Sequence, residues 1–198
     1  IKSVTEIEEM VIEEKNTLRI QPCLSPVWDT AITLIALTES GVAPTAVPVK
    51  RSGKWILSKE VKKDGDWKIK NKDGKPGGWY FEFANEFYPD IDDSAMVLLA
   101  LKRLDLEEDE EKKAAAVARA ISWILSMQNE DGGWAAFDKN NTMALLNAIP
   151  FADHNAMLDP ACPDITGRVV EALAHYGFTL EDEPVKRAVA YLRGRQEK

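Results

Sequence analysis

This sequence predicts an all-α protein, an incomplete α/α toroid of inner and outer helix pairs joined by irregular or short hairpin loops. Two observations carry the prediction. Two series of similar segments run through the 198 residues at a nearly constant step, the signature of a repeat architecture. Members of one series are apolar almost all round, as a helix buried on both sides should be. Members of the other carry Lys, Glu and Arg on one face, as an outer helix should.

The first series comprises S-P-V-W-D-T-A-I-T-L-I-A-L from Ser25, P-D-I-D-D-S-A-M-V-L-L-A-L from Pro89 and P-D-I-T-G-R-V-V-E-A-L from Pro163. These superimpose on Thr30, Ser94 and Thr166, 64 and 72 residues apart, and each reaches Ala-Leu six and seven positions later. The second series lies between them: K-W-I-L-S-K-E around Trp55, S-W-I-L-S-M-Q around Trp123 and A-Y-L-R-G-R-Q around Tyr191, with both steps equal to 68. Three such pairs would close about half of a six-pair ring. The stretch from Glu60 to Asn85, rich in Gly and Pro, reads as irregular or hairpin-like. The loop from Phe137 to Pro163 is long enough to suggest a functional or covering role.

Composition narrows the function. There are 33 acidic against 25 basic side chains, a net charge of −8, and the basic residues are scattered, which disfavours nucleic acid as a partner. Cys23 and Cys162 lack disulfide-framework or zinc-site spacing and fit a reducing cytosol. No apolar run approaches the roughly 20 residues of a spanning helix. The start, Ile-Lys-Ser, is neither a signal peptide nor an initiator, so the chain is expected to be one fragment, residues 1–198, truncated at both ends.

An acidic residue near the start of each inner helix can cap free backbone N–H groups, and Asp29 and Asp164 carry that reading. Asp90, Asp92 and Asp93 are different, because one helix end stabilises roughly one negative charge. Adjacent carboxylates in apolar surroundings hold at least one proton, which makes a proton donor. Phe81, Phe83, Phe87 and Tyr88 lie just upstream, and aromatic faces stabilise cations. A solvated acidic turn and a Mg²⁺ site are the alternatives, the latter without a phosphate-cradling glycine loop to support it.

These residues resemble a known family. D-I-D-D-S-A is similar to the D-x-D-D-T-A acid motif of squalene–hopene cyclases, and M-Q-N-E-D-G-G-W from Met127 to their repeated Gln–Trp motif. S-P-V-W-D-T-A, P-G-G-W-Y-F-E-F-A-N-E-F-Y-P-D and F-A-D-H-N-A-M-L-D-P also match in order and spacing. The resemblance implies a bacterial class II triterpene cyclase: an Asp protonates a terminal alkene of squalene, carbocations close the rings to hopene-type products, and deprotonation or water ends the cascade. No metal or cofactor is implied. Asp92 matches the proton donor, with Asp90 and Asp93 as acidic neighbours. Phe81 and Phe137 match cation-stabilising aromatics and Trp28 a substrate-contacting ring, with core packing as the alternative for each. Phe151, Ala152 and His154 match the substrate-channel constriction.

Arg168 stands where one branch of the family has a His that supports the acid. It can pair with Asp164 or Glu171 on its own helix, or place a permanent cation beside the acidic cluster. The Gln–Trp segments, Gln128 to Trp134 and K-E-V-K-K-D-G-D-W ending at Trp67, read as structural ties between outer helices. About two-thirds of the enzyme would lie outside the chain, and the isolated piece would be inactive. The parent would sit on the cytoplasmic side of the inner membrane as a peripheral or monotopic protein. Alternatives are a class II diterpene cyclase, against which the Gln–Trp and W-D-T segments argue, and a carbohydrate-active α/α toroid.

Overall fold

The computed structural model describes residues 2–21, 23–81, 85–143, 145 and 157–197. A short helix α1 (Lys2–Glu9) precedes an antiparallel hairpin of β1 (Val11–Glu14) and β2 (Thr17–Ile20), with Val11 opposite Ile20. Inner and outer helices then alternate: α2 (Pro26–Glu39), α3 (Val47–Ser58), α4 (Ile91–Lys102), α5 (Glu110–Ser126), α6 (Pro163–His175) and α7 (Glu183–Arg195). Each anticipated segment is a helix. Proline stands in the first turn of α2, α3, α6 and α7, where its missing N–H costs nothing and its φ is already helical.

The inner helices form a row in which α4 packs between α2 and α6, with α3, α5 and α7 behind their respective partners. Helix α4 is buried almost all round, from Ile91 to Leu101. Helix α2 departs from the expectation: only Val27, Ala31 and Leu34 are buried, and Ile32 and Leu37 are exposed. It has α4 on one flank and α3 behind.

Among the described residues the connection from α3 to α4 is irregular apart from a 3-10 turn at Asp66–Ile69 and a bridge between Trp79 and Asp90. Two buried tryptophans tie the layers together. The Trp79 indole N–H donates to the Ile56 carbonyl at 2.8 Å and the Trp134 indole to Ile124 at 2.7 Å. Their backbone N–H groups donate to Ser94 Oγ at 2.8 Å and Thr166 Oγ1 at 3.0 Å, respectively. These partners match one repeat later, so Trp79 holds the place that the sequence suggested for Trp67. Trp67 instead packs edge-on against Trp123, ring centroids 6.1 Å apart. Gly77 and Gly132 explain the close fit, since a Cβ on either would lie 2.7 and 2.5 Å from the carbonyl oxygens of Arg119 and Arg187.

Candidate active site

The site is assembled at the N-terminal end of the inner row. Asp90 has extended backbone (φ −110°, ψ 133°), and one carboxylate oxygen accepts from the N–H groups of Asp92 at 2.6 Å and Asp93 at 3.1 Å. That is an N-cap of α4, formed by a residue that the sequence set apart from the caps, while the N-caps of α2 and α6 are Ser25 and Cys162 and not the anticipated Asp29 and Asp164. Asp29 lies beyond the first orphan N–H groups and makes no cap bond. Asp164 is one residue inside its helix; its carboxylate accepts from the Cys162 thiol at 2.6 Å.

The three carboxyls of the cluster have different environments. Asp90 and Asp93 are buried, 6% and 2% exposed. Burial pushes Asp90 up to about 7 against the pull of its two backbone hydrogen bonds. Burial, with the charges of Asp90 and Asp92 added, pushes Asp93 up to about 8. Among the described residues Asp93 Oδ1 has no hydrogen-bond partner, which favours its neutral form. The Asp92 side chain is more open, 23% exposed, and it receives Arg168 Nη1 from α6. Among the described residues no group of His, Cys, Asp and Glu is arranged to hold a metal ion.

Arg168 unites both expected pairings. Besides Asp92 it reaches Asp164 at 3.7 Å on its own helix, and its guanidinium carbon lies 5.5 Å from the Trp28 ring centre. In the repeat register Trp28, Asp92 and Asp164 are the same position of α2, α4 and α6, each two residues before Thr30, Ser94 and Thr166. One cation therefore gathers three equivalent positions.

The loop bearing Phe137 is fixed to this end of α4. The Ile91 N–H donates to the Ala136 carbonyl at 2.8 Å. The Asp159 carboxylate accepts from the N–H groups of Ala136, Phe137 and Asp138 at 3.3, 2.7 and 2.7 Å. Sequence reasoning missed Asp159 as an anchor, because its three partners lie 21 to 23 residues away. Phe81 follows the Trp79–Asp90 bridge by two residues and is half-buried.

Two of the rings upstream are open to solvent. Phe87 is exposed with Lys63 over it at 5.7 Å, and Tyr88 is exposed beside Asp66. Phe83, Phe151, Ala152 and His154 lie outside the described residues. A cleft of about 570 Å³ between α3 and α5, lined by Lys54, Leu57, Asp109 and Arg119 among others, contains none of the acidic cluster.

The squalene-hopene cyclase C-terminal domain family matches residues 24–198. A squalene–hopene cyclase of Bradyrhizobium diazoefficiens is 44% identical over 193 residues, 96% of this chain and 29% of the relative. A dammaradiene synthase of Dryopteris crassirhizoma is 44% identical over 205 residues, 99% of this chain and 30% of the relative. A squalene–hopene cyclase of Alicyclobacillus acidocaldarius is 38% identical over 176 residues, 89% of this chain and 28% of the relative. The chain thus spans less than a third of the length of these relatives.

Proposed function

From the premise that the chain belongs to the squalene-hopene cyclase C-terminal domain family, we propose that it carries the acid of a triterpene cyclase acting on squalene. The observation that carries this reading is the division of the cluster: two buried carboxyls raised to about 7 and about 8, and one more open carboxyl, Asp92, beside a guanidinium.

Asp92 is the donor in this reading, because Asp90 is occupied in capping and Asp93 is buried beneath. Its proton passes to the terminal carbon of an alkene. A C–H bond forms, the π bond breaks, and a tertiary carbocation is left facing the next alkene. Each ring closure then moves a π electron pair to the preceding cation, until a proton is lost or water adds. Arg168 stabilises the carboxylate left on Asp92. Neutral Asp90 and Asp93 spare that carboxylate two like-charge neighbours. Phe81 and Phe137 offer π faces to the passing cation, and Phe151, Ala152 and His154 are assigned to the entry channel. Alkene protonation calls for no metal or redox cofactor.

The reading makes this chain part of a longer enzyme, since a cation cascade needs a closed, dry cavity. Squalene partitions into bilayers, so the enzyme is proposed to work at the cytoplasmic face of a membrane. Among the described residues no helix is long and apolar enough to cross one. The diterpene and carbohydrate readings draw no support from the relatives.

The test is Asp92→Asn in the intact enzyme, assayed with squalene. It should abolish cyclisation with little loss of stability, whereas Asp29→Asn, an exposed position, should keep turnover. Equal residual activity in both variants would remove Asp92 from the role.

A further inference from the structure

The guanidinium of Arg168 has two carboxylates within reach. Asp164 lies one helical turn earlier on α6, its side chain 62% exposed, and Asp92 belongs to α4, its side chain 23% exposed. An isolated helix favours the first pairing, because side chains four residues apart are neighbours and need no tertiary contact. Nevertheless Asp92 is the closer partner. The half-buried Trp28 ring on α2 lies against the guanidinium at 5.5 Å. An indole is the most favourable aromatic face for a cation, and removing water from it strengthens the contact. Arginine suits this geometry because its planar group can stack on a ring and still direct N–H groups at a carboxylate in its own plane.

We propose that Trp28 is a positioning residue: its ring keeps the nearer pairing of Arg168 on Asp92 and stops the guanidinium, which also reaches Asp164 at 3.7 Å, from moving wholly onto that carboxylate. This rests on the reading of Asp92 as the donor, and it assigns the ring a task other than contacting substrate. Without the ring, the guanidinium swings back to Asp164 on its own helix. Asp92 then loses the charge that stabilises the carboxylate formed at proton transfer.

The test is a double-mutant cycle in the intact enzyme with squalene, combining Trp28→Leu with Arg168→Gln, and repeating the first change as Trp28→Phe. Trp28→Leu should lower kcat about tenfold, the equivalent of a desolvated cation–π contact, while KM changes less than about twofold. The same change made in Arg168→Gln should lower kcat by less than twofold, because nothing remains to be positioned. Trp28→Phe, which preserves an aromatic face and most of the packing, should recover most of the loss and guards against a misfolded leucine variant. Equal losses with and without Arg168, or a raised KM at unchanged kcat, would overturn the proposal and return Trp28 to substrate contact. Asp92→Asn run alongside separates the two readings. Full activity there would remove the donor, whereas additivity of the pair removes only the positioning.

Discussion

Glu60 and Gln128, 68 residues apart, each receive an arginine from the equivalent position of the next outer helix. Arg119 of α5 holds Glu60 through two bonds of 2.6 and 2.8 Å, and Arg187 of α7 reaches Gln128 Oε1 at 3.3 Å. Both sit just past the end of an outer helix. Their backbone neighbours repeat the pattern too: Val61 N–H donates to the Gly78 carbonyl and Asn129 N–H to the Gly133 carbonyl, each at 2.9 Å. Gln128 additionally donates to the Gly132 and Pro184 carbonyls, fastening the end of α5 to the start of α7.

This pair predicts an asymmetry. The Glu60 side chain is 1% exposed and that of Arg119 42%. Arg119→Ala removes two charge-assisted hydrogen bonds from the buried carboxylate, which keeps Lys62 Nζ at 3.3 Å, and should cost about 2 kcal/mol. Glu60→Gln copies the next repeat and should cost on the order of 1 kcal/mol. Urea denaturation of the variants gives the order, and a costlier Glu60→Gln would contradict it.

Asp159 should matter through backbone alone. Asp159→Ala frees three N–H groups of the Phe137 loop, a loss of about 2–3 kcal/mol of local stability. Amide hydrogen exchange at Ala136, Phe137 and Asp138 should accelerate on the order of 30-fold or more. Unchanged protection at these amides would show that the carboxylate does not hold the loop. Asp159→Asn, which keeps one acceptor oxygen, should fall between.

Stability should decline with pH across the cluster's titration. The folded pKa values of Asp90 and Asp93, about 7 and about 8, stand above the ordinary 3.8. Between about pH 4 and 8 the folded chain keeps protons that the unfolded chain has lost. Stability is therefore greatest at the acid end of this window and falls as pH rises, by ~1.4 kcal/mol per pH unit per retained proton, levelling above about pH 8. Asp109, held below its ordinary value by Lys112 and Lys54, titrates under this window. Asp93→Asn should flatten the slope without destabilising the fold at neutral pH. A urea midpoint that rises from pH 5 to 8 would contradict the assignment of the protons.

Arg168 should tune turnover more than binding. In the intact enzyme Arg168→Gln should lower kcat for squalene by tenfold or more and leave KM nearly unchanged. Arg168→His should retain much of the activity at pH 5 and lose it toward pH 8, as imidazole gives up its charge. A cyclisation rate indifferent to Arg168→Gln across that range would separate this cation from the acid.

The sequence by itself determined where the inner and outer helices lie and which family they belong to. Helical period, first-turn prolines and the recurring steps of 64 to 72 residues are local or additive signals, and the D-I-D-D segment marks itself by composition. What local chemistry could not decide is what each carboxyl does. Asp29 and Asp164 read as caps in the sequence and Asp90 as part of an acid cluster, yet it is Asp90 that caps, because its extended backbone turns the carboxylate onto the free N–H groups of Asp92 and Asp93. The sequence points to Trp67 as the repeat's tryptophan, and the place is taken by Trp79 because a turn brings its indole N–H to the Ile56 carbonyl. Arg168 meets Asp92 across 76 residues and Arg119 meets Glu60 across 59. Such pairings, and the burial that keeps protons on Asp90 and Asp93, arise only when helices pack and exclude water, so they belong to the tertiary structure alone.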